Sequence, residues 1–179
     1  MAYSDLTGRQ VRLKLVGPSG VAQLHERFEK PAVWEAAGCD EEPSLERLKK
    51  KLFEYRSLVV WELHPAGAKR QAGYIGIVSY SGPPYVWVDV FEGPPPIEAI
   101  REATTLLVPA FFHAGGADRL FVHLPREHED VGREPLLEAG FTPADEVPFQ
   151  DPAAVASFVI DRNAFEVYYE EGGDAGEES

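Results

Sequence analysis

Tyr85-Val-Trp-Val-Asp-Val-Phe-Glu-Gly-Pro-Pro-Pro-Ile-Glu98 decides how this chain is read. Its first seven residues are β-branched or aromatic apart from Asp89, which predicts a strand. Three prolines stop that strand, and the pattern from Ile97 to about Ala114 predicts a long helix closed by Gly115-Gly116. Pro109 inside the helix predicts a kink near Thr105, because proline has no N–H to give and its ring crowds the preceding turn.

Upstream, Leu58 to Leu63 and Gln71 to Tyr80 read as two more strands. The short Gly/Pro turns between them, His64-Pro-Ala-Gly-Ala68 and Ser81-Gly-Pro-Pro84, predict an antiparallel meander ending at Phe91. Nearer the start, Gln10 to Val16 alternates apolar and cationic residues as a half-buried strand does. Val21, Leu24 and Phe28 then share a helical face, and Val33, Trp34 and Ala36 fit a further turn. Ser44 caps a helix that places Leu45, Leu48, Leu52 and Tyr55 on one side, with Lys49 to Lys51 on a solvated flank. Downstream come a strand from Leu120 to Leu124 and a short helix ending in Ala139-Gly140-Phe141. Strands around Glu146 to Phe149 and from Val155 to Ile160 follow, then a helical turn around Asn163 to Tyr169. The order β-α-α-β-β-β-α-β-α-β-β predicts an α/β (α+β) fold: a mixed, mostly antiparallel sheet with helices on both faces.

At 179 residues the chain has room for one core, expected over residues 1–169. Residues 170–179 are acidic, small and almost without apolar groups, and are expected to be a disordered tail. The longest apolar run, Leu106 to Phe112, is far below the roughly 20 residues of a membrane helix. The first residues have neither a basic start nor an apolar stretch, so a cytoplasmic home is expected. A single cysteine, Cys39, excludes an internal disulfide.

Net charge is -13, with 30 acids against 17 bases, and six of the acids fall in the last fourteen positions. A field of that sign repels phosphate backbones and favours cationic partners: small amines, or the basic segments of proteins. Nucleic acid and membrane are not expected partners. His123, His128, Glu127, Glu129 and Asp130 match no metal-ligand spacing, so no metal is expected.

The element order resembles the GNAT superfamily of acyl-CoA-dependent N-acyltransferases. Two stretches carry the likeness: the meander that runs from Tyr85 into the long helix, and Asp118-Arg-Leu-Phe-Val-His-Leu124 followed by Leu136-Leu-Glu-Ala-Gly-Phe141 and Glu146-Val-Pro-Phe149. The Gly140-Phe141 ending matches at the level of a motif; the rest matches by order. The resemblance implies that strand Tyr85–Phe91 splays from strand Leu120–Leu124. It implies an acetyl-CoA or other acyl-CoA donor whose pantetheine arm pairs with the strand backbone. On this basis Val88, Val90, Phe91, Gly93 and Ile97 are the expected donor-binding residues. It also makes a homodimer possible.

The same resemblance shows a degenerate diphosphate loop. The family writes it Arg/Gln-x-x-Gly-x-Gly/Ala, since a close phosphate needs glycine and free N–H groups. Here only Gly93 remains, Pro94, Pro95 and Pro96 have no N–H, and Glu92 and Glu98 add negative charge. These residues start a helix better than they cradle a phosphate. Leu136 stands where many members have a tyrosine that protonates the leaving thiolate, and the asparagine that often follows the fifth strand is missing.

Transfer to an amine needs a proton taken from an ammonium of pKa about 10.4. Asp89 and Glu92 are the candidate bases. Asp89 shares a strand face with Tyr85, Trp87 and Phe91 and is expected to be either a buried base or a hydrogen-bonded structural group. Tyr80, Tyr85 and Trp87, with Tyr74, are the expected acceptor-side aromatics, although such residues also stabilise sheets. Two activities follow. One is an N-acyltransferase working by direct attack of the amine. The other is a pseudoenzyme of the same fold, without cofactor, that binds a protein partner. An open gap between the splayed strands fits the first, and one filled by aromatic side chains fits the second.

Overall fold

The computed structural model describes residues 2–79, 82–93, 96–115, 117–147 and 150–171. Eight strands form one sheet: β1 (Leu6–Thr7), β2 (Val11–Leu15), β3 (Leu58–Pro65), β4 (Gly73–Val78), β5 (Tyr85–Val90), β6 (Arg119–Pro125), β7 (Thr142–Ala144) and β8 (Val155–Asp161). Their spatial order is β1-β2-β3-β4-β5-β6-β8-β7. Every neighbouring pair is antiparallel except β5 and β6. That parallel pair is required by topology, because α4 (Ile97–Ala114) crosses between its two strands.

The helices divide between the two faces. On one, α1 (Val21–Arg27), α2 (Pro31–Ala36) and α3 (Leu45–Lys49) bury Leu24, Phe28, Val33 and Leu48 against Val60, Tyr74 and Trp87. On the other, α4, α5 (Glu129–Glu138) and α6 (Arg162–Phe165) bury Ala103, Leu107, Phe111, Leu136 and Phe165 against Leu13, Trp61, Ile75 and Ile160. β4 lies between the two layers and every residue in it is buried, so it reads as a continuous apolar run with no alternation. Phe28 is wholly buried, and its loss to alanine would cost about 3–5 kcal/mol.

Local chemistry sets the ends of the elements. Ser44 Oγ accepts from Arg47 N at 3.2 Å as the cap of α3, and Asp161 Oδ1 accepts from Ala164 N at 2.8 Å at the start of α6. Gly140 takes φ +92° where α5 stops, a conformation that a side chain would strain.

The helix expected from Ile97 to about Ala114 is observed as α4, with Pro109 inside it, and its Thr105 hydroxyl donates to Arg101 O and Glu102 O. Other expectations need correction or completion. The strand expected at Glu146–Phe149 is instead Thr142–Ala144, immediately after Phe141; Pro148 and Phe149 lie outside the described residues. β1 went unrecognised because two residues cannot show a period. α3 continues into a π-helical turn, Lys50–Glu54, and α6 into another, Glu166–Glu171. The expected tail beyond Glu171 lies outside the described residues. No helix among those described is long and apolar enough to cross a membrane.

Candidate functional site

β5 and β6 pair at only two positions, Tyr85 with Phe121 and Val86 with Val122. One step further the pair would be Trp87 with His123, but there the strands part. The backbone of β5 shows which groups this leaves open. Phe91 N donates to Ala72 O toward β4, and Pro84 O accepts from Phe121 N on the β6 side. Groups alternate sides along a strand, so the N–H and C=O of Val88 and Val90 face the gap.

The gap is a cavity of about 660 Å³. Tyr85, Trp87, Val88, Val90, Phe91, Glu92 and Gly93 line it from β5 and the loop beyond, and Ile97, Ile100, Arg101 and Thr104 line it from α4. Val122, His123, Leu124 and Pro125 form the β6 side, with Val131, Gly132, Pro135 and Leu136 on α5. Close packing of α5 on β6 depends on Gly132, where a Cβ would come within 2.7 Å of the Leu124 side chain. Three apolar side chains, Val88, Ile97 and Val131, are exposed on the cavity lining beside the charged Glu92 and Arg101.

The expected donor-binding residues Val88, Val90, Phe91, Gly93 and Ile97 therefore all lie on this cavity, although the Phe91 N–H is already taken by Ala72. Tyr85 and Trp87 lie on it too, and Tyr80 is outside the described residues. The Tyr85 hydroxyl donates to Ala36 O at 2.7 Å and pins α2 to the sheet; burial pushes its pKa up to about 12.

The two candidate bases separate. Glu92 is exposed and lines the cavity. Asp89 is 8% exposed and does not line it. Arg27 of α1 donates to both Asp89 oxygens, Nε to Oδ2 at 2.7 Å and Nη2 to Oδ1 at 2.9 Å. The Arg27 guanidinium also lies over the Phe91 ring, 4.8 Å from its centre. The hydrogen bond to Asp89 raises the Arg27 pKa further. Asp89 is thus a buried carboxylate closed by a two-pronged ion pair.

Sequence inspection passed over two residues of this site. Arg101 is one full turn beyond Ile97, which places it on the same side of α4; its guanidinium is 4.0 Å from Glu98 and 3.7 Å from Glu138. His123 was weighed only as a metal ligand. The described residues hold no group of three or more His, Cys, Asp or Glu placed to bind a metal.

A sheet parted between two parallel strands, with a long helix starting at the parting, is the arrangement that the resemblance implied, and solved acetyltransferases share this fold. Solved structures bear this out. An aminoglycoside acetyltransferase in complex with coenzyme A and kanamycin is 15% identical, over 88% of this chain and 98% of that one, with a TM-score of 0.57. The spermidine N-acetyltransferase of Vibrio cholerae in complex with CoA and spermine is 11% identical, over 87% and 98%, at 0.61. An acetyltransferase from Agrobacterium tumefaciens is 15% identical, over 90% and 96%, at 0.60. No family model and no curated protein matches the sequence.

Proposed function

We propose that this chain is an acyl-CoA-dependent N-acyltransferase that moves an acetyl or other acyl group to an amine by direct attack. The observation that carries this is the open 660 Å³ gap between β5 and β6, with the backbone groups of Val88 and Val90 turned into it. A pantetheine arm carries amide groups and would pair there as a third strand does. The residues present fit that arm well. They also offer its anionic end something: the first backbone N–H groups of α4 beyond Pro96, and Arg101 on the next turn. Glu92 beside them weakens the anion site without removing it.

Bound acyl-CoA would supply an activated acyl carbon and a thiolate leaving group. The work left to the protein is to hold the thioester and to take a proton from the attacking ammonium. Glu92, exposed on the cavity lining, would take it through water. Asp89 holds β5 to α1 and has both oxygens engaged. A small amine or a basic protein segment is the matching acceptor for a chain of charge -13.

Calorimetry with acetyl-CoA and with CoA tests the proposal. The expected result is micromolar affinity, about -8 kcal/mol. Absence of heat with either ligand at millimolar concentration, in protein shown to be folded, would overturn it. The remaining reading would then be a protein-binding relative of the fold, favoured by the one proline cap described at α4 and by Glu92 at the mouth.

A further inference from the structure

One corner of the sheet reverses the sign of the chain's charge. A cleft of about 500 Å³ lies there between the turn joining β1 to β2 and the turn joining β3 to β4. Arg9 and Arg12 line it from the first side, and His64, Ala66 and Lys69 from the second. No Asp or Glu is among its described lining residues, in a chain with 30 acids against 17 bases. Elsewhere arginines are neutralised by the chain's own acids: Arg27 by Asp89, Arg47 by Glu41, Arg119 by Glu146 and Arg162 by Asp118. Arg9, Arg12 and Lys69 are exposed, and their side chains make no ion pair among the described residues.

The frame around these cations is fixed. Gly8 N donates to Val11 O at 2.8 Å to close one turn, and Ala68 N donates to Pro65 O at 3.2 Å to close the other. Ala66 N donates to Gln10 O at 2.8 Å and ties the two turns together. From α4, the Glu102 carboxylate accepts from Arg9 N at 2.8 Å and from Gln10 N at 2.6 Å. Arg12 stands directly across the ladder from His64, so the two share a face of the sheet. The carboxylates that touch these residues are engaged, Glu102 with the two N–H groups and Glu62 with His64 Nε2 at 3.0 Å. Like charges gathered on a fixed frame repel one another, and a bound anion turns that repulsion into attraction. Screening limits fields to about 8 Å at physiological salt, so the cluster and not the net charge of -13 sets the potential inside the cleft.

We infer that this cleft binds a phosphorylated small molecule, with Arg9, Arg12 and Lys69 around its phosphate oxygens. Each guanidinium offers paired N–H donors that match two phosphate oxygens, and the ammonium adds a point charge. The volume is that of a small-ligand pocket. A long polyanion would have to cross the acid excess of the surrounding surface, which favours a compact ligand. The site is separate from the acyl-CoA gap: the two linings share no residue, and β3 and β4 stand between β2 and β5, a separation of about 14 Å at ordinary strand spacing. The inference therefore does not depend on the acyltransferase reading.

The test is a titration of the backbone amide ¹H–¹⁵N spectrum with inorganic phosphate and with pyrophosphate, against sodium chloride at equal ionic strength. The amides of Arg12, His64, Ala66 and Lys69 should shift along a saturating curve, with pyrophosphate bound at about millimolar affinity or tighter and phosphate more weakly. Chloride should give no saturable shift. Arg12→Gln and Lys69→Gln exchange exposed cations for neutral side chains, so the rest of the spectrum should stay in place while each weakens pyrophosphate about tenfold. Arg12→Lys, which keeps the charge and loses the fork, should weaken it less. Shifts that follow ionic strength alone, or affinities unchanged in both glutamine variants, would overturn the inference. So would shifts centred on Gly93 and Ile97 at the start of α4, which would place the anion at the other site. A polyglutamate peptide that binds at the cleft more tightly than pyrophosphate would also overturn it, making the occupant an acidic protein segment.

Discussion

The two edges of β5 are built on opposite terms. Toward β4 it is laddered over its whole length, six pairs from Tyr85–Val78 to Val90–Gly73. Toward β6 it is laddered over two residues and then left open. The closed edge is also locked from above, where Arg27 of α1 grips Asp89 and covers Phe91. The open edge has largely apolar walls and turns the backbone groups of Val88 and Val90 into the gap. A strand fixed this firmly on one side can remain exposed on the other without fraying. Rigidity and vacancy on one strand are the condition for a preorganised site.

The closed edge should be the more sensitive to small changes. At Gly73 a Cβ would fall 2.1 Å from Asp89 O, a backbone atom with no room to withdraw. Gly73→Ala should therefore force β4 and β5 apart and cost about 3–5 kcal/mol by urea denaturation. A cost below about 1 kcal/mol would show that the closed edge yields as readily as the open one, and the contrast between them would fail.

Arg27→Ala comes next. It leaves a carboxylate 8% exposed without its partner, and breaking such a pair costs about 3–5 kcal/mol. Arg27 is itself 20% exposed, so water can partly replace it and about 3 kcal/mol is expected. Asp89→Asn sharpens the distinction between structure and chemistry. The structural role predicts lost stability with kcat per folded molecule nearly unchanged. Abolished transfer at unchanged stability would return Asp89 to the reacting atoms.

The sequence carried this contrast unevenly. The meander was legible because Gly/Pro turns separate runs rich in β-branched and aromatic residues, and the parity of β5 placed Tyr85, Trp87 and Asp89 on one face, where α1 covers them. The partner of Asp89 was not legible, since Arg27 lies 62 positions away and nothing local marks it. The strand after Gly140-Phe141 was placed too late. Thr142-Pro-Ala144 has no alternation, and its pairing with β8 is set by tertiary contact. His123 was weighed only in a cluster that fits no metal, because its contact with Ser157 across β8 and its place at the parting of β5 from β6 are beyond any spacing rule.

Acid should expose the open edge. Burial lowers the His123 pKa to about 4, below its ordinary 6.5, so the unfolded chain takes up this proton first. The stability that the neutral ring supports is complete above about pH 6.5, falls as pH drops, and is fully lost near pH 4. The groups around the ring are Tyr85, Phe121 and Ser157, and the charged or titratable groups sharing its cavity are Glu92, Arg101 and His128. His123→Gln leaves all of these in place. The stability of wild type relative to this variant should decline between pH 7 and pH 4 by about 1–2 kcal/mol, allowing for partial exposure of the ring. Parallel profiles would mean that the imidazole is not held neutral by burial.

The smallest change tests the open edge most directly. Proline at position 88 removes one N–H that faces the gap and leaves the ladder to β4 intact, because Val88 turns its backbone away from β4. Val88 is 37% exposed, so little packing is lost. Val88→Pro should fold with stability within about 1 kcal/mol of wild type and bind acetyl-CoA about tenfold more weakly, the worth of one hydrogen bond of about 1.4 kcal/mol. Val88→Ala, which keeps the N–H, should bind as wild type does. Equal weakening in both variants would mean that the site holds its ligand by the valine side chain, and the backbone of β5 would then be open without being used. If the proline variant unfolds, the N–H at position 88 is part of the ladder after all, and the two edges of β5 differ less than their pairing implies.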